Sequence, residues 1–107
     1  MANRKTPRDK RFAALKSMPC VTCPGCGPTE IHHLNASGRA GQKRRGDEFT
    51  IPLGSWAHRG VPLTGKNSSD MEIIFGPSLA RSSRKFRSTY GADDVLLAIV
   101  NKSLRFL

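Results

Sequence analysis

The chain has 107 residues, enough for one small domain, and a hydrophobic fraction of 37% supplies a modest core. Eighteen Lys and Arg against eight Asp and Glu leave a net charge of +10. That excess points to a polyanionic partner, nucleic acid being the commonest, and to binding that weakens steeply with salt. No apolar run approaches the ~20 residues of a membrane span, and the basic opening MANRKTPRDKR has no apolar stretch behind it. A span and a secretory leader are therefore not expected, and a cytoplasmic location is.

In chain order, residues 6–18 read as a helix: Thr6 can cap it, Pro7 suits its first position, and Phe12, Leu15 and Met18 recur at helical spacing. Residues 1–18 form a basic arm, and residues 19–107 form the domain that follows it. Residues 19–28, PCVTCPGCGP, are a tight knuckle dense in Pro, Gly and Cys. A first strand is expected at 29–34 (TEIHHL) and a second at 49–53 (FTIPL), where Pro52 argues for an edge or a strand end. Between them, 35–48 is a loop carrying Arg39, Lys43, Arg44 and Arg45. A short helix capped by Ser55 and stopped by Gly60 follows, then helices at 69–75, 78–90 and 93–105. Leu96, Ile99, Val100 and Leu104 mark the buried face of the last one. The fold class expected is α+β: a β-hairpin plus a short helix, with helices at both ends.

Two groups of residues carry chemistry. Cys20, Cys23 and Cys26 lie within seven residues, with no distant cysteine to pair with. This spacing reads as metal binding rather than as a disulfide framework. His32 and His33 are adjacent on the first strand, which sends neighbouring side chains to opposite faces. One can therefore face a metal while the other approaches substrate. A hairpin followed by a short helix can return His58 to the pair, which is the arrangement of a ββα-metal site. Imidazoles, one cation and a basic chain suit phosphodiester hydrolysis, which needs a base for water and a Lewis acid for the phosphate. Trp56, beside His58, reads as core, with base stacking as the sharper alternative.

PCVTC, EIHHL, FTIPLGSWAHRGVPLTGK, FGPSLA and FRSTYGADDVLLAIVNKSL together resemble the phage recombination-enhancement nucleases, Ref and its prophage relatives, over roughly residues 19–104. The resemblance implies a metal-dependent HNH DNA endonuclease, encoded by a phage or prophage, that acts on DNA with a RecA filament. It implies His33 as general base, His32 and His58 as ligands of a catalytic Mg2+ or Mn2+, and Cys20 and Cys23 as half of a structural zinc site. Arg39, Lys43, Arg44, Arg45 and Arg59 are the expected DNA contacts. The chain departs from the pattern in two ways. The central Asn of the HNH motif falls near Phe49, and the second zinc half falls at Gly54 and Ala57, where no ligand stands. Cys26 is extra. Zn2+ on three cysteines and one other group, Zn2+ at the histidines, and free thiols all stay open. So does a non-catalytic nucleic-acid-binding protein, either a degenerate HNH domain or a zinc knuckle completed by His32 or His33. Oligomeric state is not readable from the sequence.

Overall fold

The computed structural model describes residues 6–35 and 45–105. Helix α1 (Pro7–Ser17) opens on a reciprocal cap, in which the Thr6 hydroxyl accepts from the Asp9 amide and the Asp9 carboxylate accepts from the Thr6 amide. The knuckle follows, then strands β1 (Thr29–His33) and β2 (Thr50–Gly54), paired antiparallel with His32 opposite Ile51 and His33 opposite Thr50. Helix α2 (Ser55–Arg59) leaves β2 without an intervening loop. Gly60 ends it in the left-handed region at φ 70°, where a side chain would be strained and would run into Arg81. Helices α3 (Ser68–Phe75), α4 (Ser83–Tyr90) and α5 (Asp93–Leu104) complete a small ββα core with flanking helices.

β2 is buried along its whole length, because the knuckle covers the edge that β1 leaves open. Val21 donates to the Pro52 carbonyl at 3.0 Å, Ser55 to Pro28 at 3.0 Å and Trp56 to Cys26 at 3.3 Å. In a two-stranded sheet each strand has an open edge, so Pro52 sits mid-strand without costing a ladder bond. The core gathers Leu15, Leu34, Ile51, Leu53, Trp56, Met71, Phe86, Leu96 and Val100 around the hairpin. Trp56 is fully buried and donates to the Gly76 carbonyl at 3.0 Å, so it packs and does not stack on a base.

Three expectations change. The cap of α2 is Gly54, and Ser55, expected as the cap, is the first helical residue and makes no side-chain cap bond. The helix expected at 78–90 begins at Ser83. Leu79 instead donates to the Ala57 carbonyl at 2.7 Å, and the buried Ser78 hydroxyl accepts from Arg81 at 3.1 Å. This stretch therefore spends its backbone bonds on α2 and a local turn. On α5, Ile99 is 49% exposed, and Leu97 takes its place beside Leu96 and Val100.

Arg11 was grouped by charge with the arm, yet it ties α1 to the rest. It donates to the Thr50 hydroxyl at 2.8 Å, the Thr50 carbonyl at 2.6 Å and Asn101 Oδ1 at 2.9 Å. Arg11→Met keeps the apolar stem and removes all three donors. It is expected to cost roughly 1.5–3 kcal/mol, read as a lower urea midpoint at unchanged slope. An unchanged midpoint would show that the network is solvent-like.

Candidate active site and metal centre

Strand alternation divides the adjacent histidines as expected. His32 meets His58 of α2, with ring centroids 5.0 Å apart and planes at 62°. His33 lies against the Phe12 edge of α1, at 5.8 Å between centroids, and its Nε2 is 3.1 Å from Asp47 Oδ1. The fold thus brings together His32 and His58 but sends His33 to the α1 side of the hairpin.

Glu30, two residues before His32 on the same strand face, binds His58 Nδ1 at 2.9 Å. With the Nδ1 proton donated to the carboxylate, His58 keeps Nε2 as its lone-pair nitrogen, the tautomer a metal ligand needs. Arg59 grips the same carboxylate through Nε at 2.8 Å and through a terminal nitrogen. That pairing, helped by His58, keeps the Glu30 carboxyl below its ordinary range. Burial, and then the neighbouring His58, push His32 down to about 4, so it is a neutral imidazole near pH 7. Both side chains border a cavity of about 270 Å³, with Asn35, Ser83 and Arg87 on its wall. The pair offers two imidazole nitrogens, and among the described residues no third His, Asp or Glu groups with them, so an ion held here would keep several waters; imidazole suits a transition metal better than the hard Mg2+.

Cys20, Cys23 and Cys26 form a second centre at the foot of α2. All three are buried, and their sulfurs lie within 4.8 Å of one another, so they could hold a metal ion. Cys20 and Cys23 are 3.7 Å apart, and the Cys23 amide points at the Cys20 sulfur at 3.4 Å. Hydrogen bonds from Cys23, then Cys26, hold the Cys20 thiol far below the usual range, while the hydrogen bonds to Cys20 and then Cys26, with burial, push the Cys23 thiol up. Among the described residues no histidine joins this group, so neither His32 nor His33 completes it. The two positions that lack expected ligands are explained differently. A Cβ on Gly54 would stand 2.5 Å from the Cys26 sulfur, so Cys26 fills the space a side chain at 54 would take. Ala57 is simply buried.

Of the expected DNA contacts, Arg39, Lys43 and Arg44 lie outside the described residues. Arg45 pairs with Asp94 at 2.8 Å and covers the Phe49 ring at 3.9 Å. Arg59 is 58% exposed but engaged with Glu30. Sequence reasoning missed Glu30, Asp47 and Arg87. The i, i+2 spacing to His32 could have exposed Glu30; the other two come from distant segments with no local signal.

A family model described as recombination enhancement, RecA-dependent nuclease matches residues 5–105. No curated protein and no solved structure matches the chain.

Proposed function

The chain belongs to the recombination-enhancement, RecA-dependent nuclease family, and on that premise we propose that it is a metal-dependent HNH-type DNA endonuclease working with a RecA filament. The carrying observation is the His32–His58 contact on a ββα core, with Glu30 fixing the His58 tautomer. In this reading His32 and His58 hold a catalytic Mg2+ or Mn2+. The ion supplies Lewis-acid stabilisation of charge on the phosphate and on the leaving oxygen.

His33 is the base. It takes a proton from water as the water oxygen bonds to phosphorus and the bond to the bridging oxygen breaks; that oxygen takes its proton from solvent. With no motif Asn to orient the base, the Asp47 contact at His33 Nε2 would hold the ring and leave Nδ1 to accept the proton. Zn2+ at the three cysteines would anchor the knuckle under α2 and so fix the His58 backbone. Arg39, Lys43 and Arg44 would meet the DNA backbone, and Arg45 and Arg59 would do so on exchanging their carboxylate partners for phosphate.

His33→Ala is expected to lower cleavage by about 10²–10⁴-fold, with DNA binding unchanged by gel shift and partial rescue by added imidazole. Wild-type cleavage by the variant would remove His33 from the base role. One observation favours a second reading, a degenerate HNH protein that binds DNA without cutting it: His33 faces away from the His32–His58 pair. Wild-type protein that binds DNA but cuts it with no metal would decide for that reading.

A further inference from the structure

We infer that the cavity beside His32 and His58 is an oxyanion site for the phosphodiester, and that Arg87 is the side chain that grips it. The inference rests on the nuclease reading and adds the anion-binding group that the histidine pair lacks. His32, His58 and Arg87 reach this one hollow from β1, α2 and α4. Arg87 is the one cationic side chain on its wall among the described residues, the two imidazoles aside.

Arg87 is anchored rather than used up. Its Nε donates to Asp93 Oδ1 at 3.1 Å across the turn between α4 and α5, and the two side chains are 28% and 15% exposed. The second Asp93 oxygen is buried with no partner. A purely structural Arg–Asp pair would close both forks on each other, because unpaired buried carboxylate oxygens are costly. Here the contact is a single point, which fixes the stem and leaves the terminal nitrogens of the guanidinium for another acceptor. A planar fork held in this way matches the two non-bridging oxygens of a phosphodiester.

The neighbouring arginines are committed elsewhere. Arg59 lays one guanidinium edge, Nε and a terminal nitrogen, on Glu30, Arg81 donates to the Gly60 carbonyl at 3.0 Å, and Arg45 is occupied by Asp94 and Phe49. Charge count does not separate these four arginines, and Arg81 too is held at one point; the place of Arg87 on the cavity wall separates it.

The test compares wild type with Arg87→Gln and Arg87→Lys. It reads single-turnover cleavage of a short duplex, the His32 and His58 ring signals by NMR during titration with Mg2+ and then with inorganic phosphate, and the unfolding midpoint. Arg87→Gln is expected to slow cleavage by roughly 10²–10³-fold at saturating duplex. It should lose the phosphate-induced ring shifts and keep the Mg2+ response, with a midpoint lowered no further than in Arg87→Lys, by loss of the single Asp93 contact. Arg87→Lys should recover part of the rate, as a point charge without the fork. Arg87→Gln cleaving at the wild-type rate, or retaining the phosphate response, overturns the inference. A wild type that fails to cut but shows phosphate shifts that Arg87→Gln loses overturns the nuclease reading and leaves the anion site standing. A midpoint that falls in step with the rate in both variants assigns Arg87 to the scaffold and overturns the inference as well.

Discussion

His58→Ala is expected to abolish measurable cleavage and to weaken Mg2+ or Mn2+ binding by more than the ~10–100-fold expected from losing an outer-shell partner alone. The expectation follows from how few ligands the site offers. Two imidazoles meet edge-on with ring centroids 5.0 Å apart, and among the described residues no third His, Asp or Glu groups with them. Removing one leaves a single nitrogen. Glu30→Gln separates holding from orienting. Its amide still reaches His58, but it gives up the charge that fixes Nδ1–H and the pairing with Arg59. Metal affinity is expected to fall about 10–100-fold, and cleavage should return at high metal concentration. Calorimetric metal titration and plasmid nicking read both effects. Unchanged metal affinity in His58→Ala would place the ion elsewhere. Loss in Glu30→Gln that no metal concentration restores would make the carboxylate part of the chemistry.

The second large effect concerns the cysteine centre. About one zinc per chain is expected, and Cys26→Ala should lose it together with most of the cooperative unfolding transition. Structural zinc contributes on the order of 10 kcal/mol in small zinc-bound domains, comparable to the ~5–15 kcal/mol that holds a whole small domain folded. The geometry explains why Cys26 matters as much as Cys20 and Cys23. Its sulfur lies where a side chain at Gly54 would project, and its carbonyl accepts from Trp56 at the start of α2. Loss of a metal held there would therefore loosen the segment that carries His58. Treatment with a strong chelator should reproduce the variant's thermal denaturation, and added zinc should reverse it for the wild type alone. Wild-type protein free of zinc and indifferent to chelator would mean that three buried thiols pack without a metal.

Much of this arrangement is legible in the sequence because its signals are local. Thr6-Pro7 starts α1, alternation splits His32 from His33, and the left-handed Gly60 stops α2 where expected. What escapes a reading of the sequence depends on distant segments. Asp47 reaches His33 through the closing of the hairpin, Arg87 reaches the histidine cavity through the packing of α4, and Arg11 is claimed by Thr50 and Asn101. The C-x-x-C-x-x-C run looks cramped on paper. It closes into a cluster because the missing side chain at Gly54 makes room for the third sulfur. Arg45 and Arg59 show the opposite limit: a formal charge says nothing of whether a carboxylate in the fold already occupies it.

The most direct test of the central claim is conversion of supercoiled plasmid to nicked or linear form, with and without a RecA filament, in Mg2+, Mn2+ and EDTA, by wild type and His32→Ala. The account predicts metal-dependent cutting by the wild type, strongest with the filament, abolished by EDTA and by the His32 substitution. Equal cutting by His32→Ala, or none by the wild type in any metal while DNA binding persists, would contradict it.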